Sequence, residues 1–316
     1  MICMNRFNYI ITIHNKQDLI SQVLNSILRC IGPHSHVYPV LDGCTDGTEA
    51  IIDQIVRSCD GLPITKIYAP DVHEIRAINT ALNSIPQEGE GYNIIMQDDV
   101  ILGDRNIEKK IEAIYHHYNQ EIGMLSFRHG VSLGLDTEAG EIFERDLIET
   151  CYGPGGHNSP LLPARASRCM VAVRSPECIS FSTVRKVGIL DERYAPFTFD
   201  NHDYSIRCLK SGLSNLVYSM KFISRLEWGG MRRNPTPRVS AIMRRNRQQC
   251  YQDHGDFIAS LRPESFKPEP VAIADWLPRD SDELALAFHS ELGQSAAAYL
   301  QKRRLSWNRI REKMPF

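Results

Sequence analysis

Short apolar runs alternate with amphipathic stretches along the first hundred residues of the chain. The runs lie at 7–13, 37–41, 64–68 and 92–96, and they are followed by polar or turn-forming residues. Such runs are typical of buried strands. Between them, apolar residues recur every three or four positions, which is the spacing of one helix face. Strands that alternate with helices in this way predict βαβ units and a mainly parallel sheet.

Polar residues at two of the strand–helix junctions predict where helices begin. Asn15 is placed to cap the first helix, with Asp18 in its first turn. Asp46 and Glu49 have the spacing of an acidic capping box before the second helix. We therefore expect the two helices to start close to these residues.

The chain is less regular after residue 100. The segments 122–127 and 170–173 have the composition of strands, and the stretch between them is predicted to be rich in loops. Residues 200–211 predict a helix that Gly212 ends.

Prolines separate the last part of the chain from the rest. They are Pro263, Pro268, Pro270 and Pro278. A stretch of this composition is typical of a linker. Beyond it, Leu284, Phe288 and Leu292 share one face of a predicted helix. We expect a domain at 1–262, followed by the linker and a helical appendage at 263–316.

Composition narrows the class of protein. The 316 residues include 36 Lys plus Arg and 38 Asp plus Glu, so the net charge is −2, which does not fit a strongly basic nucleic-acid-binding protein. The nine cysteines never form a CxxC pair, so we expect reduced, mostly buried thiols rather than a zinc ribbon or a disulfide framework. No apolar run approaches the roughly 20 residues of a membrane span, and no signal-peptide layout occurs. We expect a cytoplasmic protein.

Acidic and amide side chains follow the ends of the predicted first, second and fourth strands. They are Asn15, Asp42, Asp46, Asp98 and Asp99. The carboxyl ends of parallel strands meet at one edge of an open sheet, which is where ligands bind. A single Asp is often only a turn former or a helix cap. Because several occur in this order, we interpret them as one site.

The adjacent carboxylates of Asp98 and Asp99 are the sharpest element of this site. Two carboxylates directly after a buried strand repel each other, and a divalent cation would relieve the repulsion. Oxygen ligands suit Mg²⁺ or Mn²⁺, which also take phosphate oxygens. The predicted ligand is therefore a metal-bound nucleoside diphosphate, with Arg76 and a later arginine cluster available to the phosphates. The alternative interpretation of that cluster is a solvated helix face. The cluster comprises Arg232, Arg233, Arg238, Arg244, Arg245 and Arg247.

Taken in order, the motifs resemble glycosyltransferase family 2, a family of nucleotide-sugar enzymes. Six segments spread over about residues 7–255 carry the resemblance, and each is weak alone. They are IITIHN (10–15), DGCTDGT (42–48), AINTAL (77–82), QDD (97–99), VGILDE (187–192) and DNHDYSIR (200–207), the last followed by Gly212. The resemblance implies a GT-A fold of the α/β class, in which helices flank a Rossmann-like, mostly parallel sheet. Here a C-terminal helical appendage would follow it.

The resemblance also implies roles for particular residues. Asp42 would hold the nucleobase, Asp99 would hold the metal that bridges the two phosphates, and Asp98 would contact the sugar or ribose. The other residues implied in the nucleotide-sugar site are Asn15, Asp46, Arg76 and Asn79. The implied reaction transfers a sugar from a UDP-sugar or related donor to an acceptor hydroxyl, with Mn²⁺ or Mg²⁺ bound and with inversion at the anomeric carbon.

Gln97 departs from the family pattern, because it replaces the first carboxylate of the metal motif. A neutral amide adds no charge. Metal binding would then depend on Asp99, with Asp98 as a possible second ligand.

Asn201 is a second departure, since it stands where the family has its catalytic base. An amide cannot take the acceptor's proton. Asp200 or Asp203 would then substitute, and His202 is a third candidate. We favour Asp200, because it precedes the predicted helix and can face the cleft.

The expected partners are a nucleotide-sugar donor and a glycan, lipid-linked or protein-linked acceptor, without nucleic acid. The basic tail at 302–313 could touch an anionic membrane surface; a packed or oligomer-forming helix is the alternative. Two other functions stay open. One is a nucleotidyltransferase, although the Gly-rich signature expected near the N-terminus does not occur. The other is a degenerate module that binds the donor without transferring it, for which Gln97 and Asn201 are the motivation.

Overall fold

A computed structural model gives the fold of the chain. It describes residues 5–58, 61–150, 159–161, 164–224, 228, 236–262, 266 and 271–272. Within these ranges, no helix has the length and apolar character needed to cross a bilayer. The predicted appendage at 263–316 lies almost entirely outside the described residues, and so does the basic tail at 302–313.

Strands and helices alternate through the first half of the chain, as predicted. The strands are β1 (Arg6–Ile13), β2 (Ser35–Asp42), β3 (Ile67–Ala69), β4 (Gly91–Gln97), β5 (Val100–Leu102), β6 (Ile122–Ser126), β7 (His129–Asp136), β8 (Glu141–Thr150), β9 (Ser159–Leu161), β10 (Arg165–Cys169), β11 (Val171–Val173), β12 (Glu177–Ser180), β13 (Ser214–Tyr218), β14 (Phe222–Ser224) and β15 (Val271–Ala272). The helices are α1 (Ile20–Cys30), α2 (Thr48–Ser58), α3 (His73–Ser84), α4 (Ile107–His117), α5 (Phe181–Val187), α6 (Asp200–Lys210) and α7 (Pro237–Ser260), with a 3₁₀ turn at Glu192–Tyr194.

A central sheet organises the molecule. Its strand order is β15-β10-β13-β6-β12-β4-β1-β2-β3. Strand β1 pairs in parallel with both β2 and β4, and β2 pairs in parallel with β3. Strand β12 runs antiparallel to its neighbours β4 and β6. The sheet is therefore mixed, and the half that contains the predicted site is parallel.

Helices cover both faces of the sheet, because side chains alternate along each strand. In β1, Ile11 belongs to a core cluster that includes Leu24 of α1 and Ile111 of α4. The neighbouring residue Ile10 belongs to a second cluster with Ile78 of α3. Two apolar layers thus enclose the strands, which explains why the runs in the sequence are continuously apolar rather than alternating.

The stretch between β6 and β10 corrects the sequence-based prediction of a loop-rich region. Strands β7 and β8 form an antiparallel hairpin there, in a separate sheet of order β11-β7-β8-β9. The hairpin was missed because its partly solvated strands contain few long apolar runs. Within β8, only Ile142 and the last three residues, 148–150, are buried.

The predicted start of α1 is wrong in detail. The helix begins at Ile20, and its N-cap residue, Leu19, has no side-chain capping bond. The Asn15 side chain accepts instead from the N–H of Thr45, at 2.8 Å. Asn15 thus joins the loops after β1 and β2 rather than capping the next helix.

The predicted capping box is half present. Asp46 accepts from the N–H of Thr48 at 3.0 Å, as a cap does. Glu49 does not reach back to the helix start, since its carboxylate binds the Lys66 ammonium at 2.7 Å. Helix α2 therefore has an acidic cap without the reciprocal contact.

The sheet extends past residue 262, where the sequence suggested a domain boundary. Val271 and Ala272 form β15, which pairs with Ala166 and Arg165 of β10 at the edge of the central sheet. Val271 is partly buried against the apolar core. Residues beyond the predicted linker start therefore contribute to the main folded unit.

Candidate active site at the carboxyl edge of the sheet

Hydrogen bonds join the ends of β4, β1 and β2. The N–H of His14, which follows β1, donates to Asp98 Oδ2 at 3.0 Å. The same residue's Nδ1 lies 2.6 Å from the carbonyl oxygen of Asp42. Polar residues from three separate stretches of sequence, two of them with predicted acids, are thus brought to one edge of the sheet.

Asp98 and Asp99 lie at the end of β4 in a poorly hydrated environment. Asp99 is 4% exposed, and its Oδ1 makes no hydrogen bond with any described residue. Burial raises the pKa of Asp98 to about 6, and the nearby Lys16 ammonium opposes this rise. The Lys16 Nζ lies 3.4 Å from Asp98 Oδ1. Asp98 is therefore partnered by Lys16 and the N–H of His14, whereas Asp99 has a buried oxygen without the hydrogen-bond partner that such atoms usually have.

Asp42 is the last residue of β2 and is buried, and its side chain accepts a hydrogen bond from the backbone. Its Oδ1 accepts from the N–H of Val72 at 2.7 Å. Gly43 follows with a φ of +60°, and a Cβ added there would lie 2.6 Å from the Cβ of Asp71. The turn after β2 thus requires glycine and brings Asp71 close. The ligand atoms of His14, Asp42 and Asp71 all lie within 4.8 Å of one another.

Asn15 and Asp46 shape the loops beside this cluster. Asn15 accepts from Thr45, as described above. Asp46 Oδ2 accepts from the N–H of Gln17 at 3.1 Å, and the N–H of Lys16 donates to Thr48 Oγ1 at 2.8 Å. Together these bonds fix the loop that presents Lys16 to Asp98.

A buried ionic cluster lies next to the β4 end. Arg174, which follows β11, donates from Nε to Glu74 Oε1 at 3.2 Å, and its Nη1 forms an ion pair with Asp200. Gln97 donates to the same Glu74 oxygen at 2.6 Å. Burial raises the pKa of Asp200, and Arg174 opposes the rise. Asp200 therefore lies close to the metal motif, connected to it through Arg174, Glu74 and Gln97.

Glu177 extends the ionic cluster into the sheet. It is fully buried and accepts from the Asn201 amide at 2.8 Å. Burial raises the pKa of Glu177 to about 8, against the opposing charge of Arg174. Its other oxygen has no hydrogen-bond partner in the described part of the chain. At neutral pH this side chain is mostly protonated.

Asp203, the second predicted base, has a different environment. It accepts from Arg207 Nε at 2.8 Å, and its other oxygen lies 2.8 Å from His254 Nε2 of α7. Its two oxygens are thus occupied by a residue of its own helix and one of α7. The third candidate, His202, contacts Glu144 of the hairpin at 2.9 Å.

The structure places Arg76 and Asn79 on α3, against the segment before the 3₁₀ turn. Asn79 is buried and exchanges hydrogen bonds with the backbone of Leu190 at 2.9 and 3.1 Å. Arg76 forms a half-exposed ion pair with Glu192, 3.2 Å away. Both side chains therefore join α3 to residues 190–192 and are used in contacts within the protein.

Several residues of the site were not predicted from the sequence. Among them are His14, Lys16, Asp71, Glu74, Arg174 and Glu177. A weak signal existed for Glu74, because it lies in the first turn of a predicted helix next to the strand ends. Arg174 and Glu177 gave none, since a charged residue beside a short strand is ordinarily solvent-exposed.

The parallel half-sheet with acids at its carboxyl edge, continued by antiparallel strands, is a GT-A fold. Residues 9–152 match the family model of glycosyl transferase family 2. The match covers somewhat less than half of the chain, and over these residues it confirms the resemblance inferred from the motifs. The fold class also agrees with the expectation from the sequence.

Two solved structures illustrate the similarity of fold. A crystal structure of GalNAc-T7 with UDP, GalNAc and Mn²⁺ is 13% identical, with a TM-score of 0.59 over 82% of this chain and 51% of that one. A crystal structure of S. aureus TarS in complex with UDP-GlcNAc is 14% identical, with a TM-score of 0.51 over 76% of this chain and 65% of that one. At these identities the comparison concerns the fold alone.

The chain spans only part of these proteins. It covers 36% of another S. aureus TarS structure and about half of GalNAc-T7. A search of curated proteins found no match. Activity, donor and acceptor are therefore argued below from the site itself.

Proposed function

We propose that the chain is an inverting glycosyltransferase that moves a sugar from a nucleoside diphosphate donor, such as a UDP-sugar, to an acceptor hydroxyl. The observation that carries the proposal is Asp99, buried beside Asp98 with one oxygen that no described residue contacts. A buried polar atom without a partner costs free energy, so a ligand is the natural partner. A divalent cation fits two adjacent carboxylates and also binds phosphate oxygens.

The residues present suit Mn²⁺ or Mg²⁺. Asp99 would hold the ion, and Asp98 lies close enough in sequence to help or to bind the sugar or ribose. When bound, the ion would neutralise charge on the departing diphosphate. The Lys16 ammonium, 3.4 Å from Asp98, is placed to add positive charge at the same end of the cleft.

The nucleobase would lie at the end of β2. Asp42 is held by the N–H of Val72 through one oxygen, so its carboxylate has a fixed orientation. A base N–H can donate to such a carboxylate. Asn15 and Asp46 would act on the donor indirectly, through the loops that they join.

Asp200 is our candidate general base. It lies at the first turn of α6, and its ion pair with Arg174 connects it to Glu74 and Gln97 beside the metal motif. In the proposed step, the acceptor hydroxyl loses its proton to Asp200 while its oxygen bonds to the anomeric carbon. The bond from that carbon to the diphosphate breaks. Asp203, already bound by Arg207 and His254, would keep α6 and α7 together.

The metal role can be tested with Asp99→Asn and a matched control, Asp53→Asn. Asp53 is a carboxylate of α2 paired with Lys66, away from the strand ends. By calorimetry, we expect Asp99→Asn to weaken the Mn²⁺-dependent binding of UDP at least ten-fold, since one charge at the ion is lost. Asp53→Asn should bind as the wild type does. Equal UDP affinity in the wild type and Asp99→Asn would contradict the metal role.

A donor-binding module without transfer is the second candidate. The observation that favours it is the buried bond between Asn201 and Glu177, which leaves the family's base position occupied by an amide. Turnover distinguishes the two functions. Hydrolysis or transfer of a nucleotide-sugar by the wild type, lost in Asp200→Asn with UDP binding retained, supports the enzyme. Saturable UDP binding without any turnover supports the module.

We propose further that the acceptor is a glycan, free or linked to a lipid or protein, and that the reaction takes place in the cytoplasm, at most peripherally at a membrane. The reduced, buried cysteines support an intracellular site: Cys169, Cys178 and Cys208 are buried as free thiols. We place the end of the transferase domain after residue 272 rather than at 262, because β15 pairs with its central sheet.

A further inference from the structure

A cavity of about 250 Å³ opens next to the ionic cluster. Its walls come from the start of α3, the loop after the 3₁₀ turn and the first turns of α7. Pro196, Phe197 and Ile242 give it an apolar side, and His73, Glu74 and Arg238 give it a polar side. A mixed wall of this kind is typical of a site for a small polar molecule that also has an apolar face, such as a sugar ring.

Glu74 connects this cavity to the proposed reaction centre. The side chain lines the cavity, and its Oε1 accepts from both Gln97 and Arg174. Gln97 directly precedes Asp98, and Arg174 pairs with Asp200. A molecule in the cavity would therefore lie beside the residues that we assign to the metal and the base. That position suits the acceptor rather than the nucleotide, whose base is assigned to the end of β2.

Arg238 gives the cavity a positive charge, opposite the Glu74 carboxylate. It lies in the first turn of α7 and is exposed. No hydrogen bond or ion pair joins its side chain to the described residues. Residues 236–252 contain no Asp or Glu, so no acid of this part of α7 neutralises it. A guanidinium with free donors is suited to binding a carboxylate or phosphate in a bidentate manner.

Helix geometry places other groups of α7 around Arg238. Ile242 lies four residues further along the helix, on the same side, and lines the same cavity. Arg245 lies on this side too, but its guanidinium is engaged, since it donates to the carbonyl of Ala195 at 2.6 Å. Arg238 is thus the cationic side chain of α7 that is both at the cavity and available to a ligand.

We propose that this cavity is the acceptor subsite, and that it selects acceptors with a phosphate or carboxylate group near the hydroxyl that receives the sugar. This rests on the proposed function. The anionic group pairs with Arg238, the ring lies on Phe197 and Pro196, and the Glu74 carboxylate accepts a hydroxyl hydrogen bond. A neutral sugar would gain the last two contacts but not the first.

The test uses the full chain saturated with UDP and Mn²⁺, so that phosphate probes cannot occupy the donor site. Glucose 6-phosphate, glucuronate and glucose are titrated by calorimetry into the wild type, Arg238→Gln and the control Arg244→Gln. Arg244 also lies exposed on α7 with no described partner, but it does not line the cavity. We expect an anionic probe to bind the wild type and Arg244→Gln, and to bind Arg238→Gln at least ten-fold more weakly. Comparing the affinities for glucose 6-phosphate and glucuronate shows whether the cavity prefers a phosphate or a carboxylate.

Ile242→Trp provides a second variant, because the larger ring would fill the cavity. It should lose binding of all three probes and keep UDP affinity. Equal losses in Arg238→Gln and Arg244→Gln would overturn the proposal, as would glucose binding as tightly as the anions, or no binding of any probe. Failure of UDP and Mn²⁺ to bind the wild type in the preceding titration would instead overturn the proposed function, and the two results are therefore distinguishable.

Discussion

In the buried ionic cluster, three carboxyl side chains surround a single guanidinium. Glu74, Asp200 and Glu177 surround Arg174, and the latter two acids are nearly inaccessible to water. Burial disfavours the charged form of an acid, and one guanidinium cannot offset three carboxylates. Glu177 therefore keeps its proton near neutral pH. The cluster holds its charge balance through protonation as well as through ion pairing.

The first prediction concerns Glu177→Gln and the pH dependence of stability. The folded state raises the pKa of Glu177 to about 8, so its stabilising contribution is complete below its unfolded pKa and is lost as the pH rises through 8. A single group of this kind loses about 1.4 kcal/mol of unfolding free energy between pH 7 and pH 9. Gln mimics the protonated acid and does not titrate.

Urea unfolding of the wild type and Glu177→Gln at pH 7 and pH 9 measures this difference. The wild type should lose more stability than the variant over that interval. Glu138→Gln, at an exposed position in the turn between β7 and β8, is the control and should follow the wild type. Parallel pH profiles for the wild type and Glu177→Gln would show that the buried acid is ionised throughout.

At the scale of elements, α7 shapes the loop that leads into α6. Thr198 and Phe199 have φ angles of +69° and +62°, which is unfavourable for residues that are not glycine, and especially for a β-branched one. The amide of Asn246, which is fully buried on α7, donates to the carbonyls of Tyr194, Phe197 and Thr198 at 2.7–3.0 Å. Asn246 and Arg245, which donates to the carbonyl of Ala195, therefore hold the loop that leads into Asp200.

We predict that Asn246→Ala lowers the free energy of unfolding by about 1–3 kcal/mol, because buried carbonyls lose their donor. Gln248→Ala, two residues along the same helix and exposed, should change it by less than about 0.5 kcal/mol. Urea denaturation provides the measurement. Asn246→Ala should also lower kcat more than it lowers the affinity for UDP. The reason is that the loop leading into Asp200 loses its support, whereas the strand ends that hold the nucleotide do not. An unchanged free energy of unfolding in Asn246→Ala would show that the loop keeps its conformation without the Asn246 hydrogen bonds.

At the scale of the whole molecule, the central sheet gathers residues from distant parts of the chain. Strand β15 adds an edge far from the N-terminal half, and Val271 packs against the same core as β1. Sheet edges that pair with another strand lose their exposed backbone groups. The last described residues, 271–272, therefore help to stabilise the central sheet.

We predict that a chain ending at residue 272 unfolds at a higher urea concentration than one ending at 262. The shorter chain loses the β10–β15 pairing and the packing of Val271, which is worth about 1 kcal/mol for a partly buried apolar side chain. Val271→Ser in the longer chain should lose part of the same amount. Identical midpoints for the two truncated chains would favour the boundary at 262 expected from the sequence.

The sequence predicted the first hundred residues well, for a physical reason. Strands covered on both faces must be continuously apolar, and helices between them must be amphipathic, so the pattern of each element is local. The bounds of β1 and β4, predicted at 7–13 and 92–96, were close to those observed. The hairpin β7–β8 was missed, because a strand with one solvated face has a weaker pattern, and its pairing depends on a partner that the sequence does not identify.

By itself, the sequence determined the α/β class, the resemblance to the family and the acidic and amide side chains after β1, β2 and β4, because strand ends converge at one edge of any parallel sheet. Only the tertiary structure decided which side chains surround them. Arg174 and Glu177 are brought to Asp200 by β12 and the segment before it, whose place beside β4 rests on long-range pairing. Likewise, Arg238 becomes a candidate binding residue only because the first turns of α7 and the start of α3 line one cavity. Local patterns specify elements, whereas charge balance and cavities depend on contacts between residues far apart in the chain.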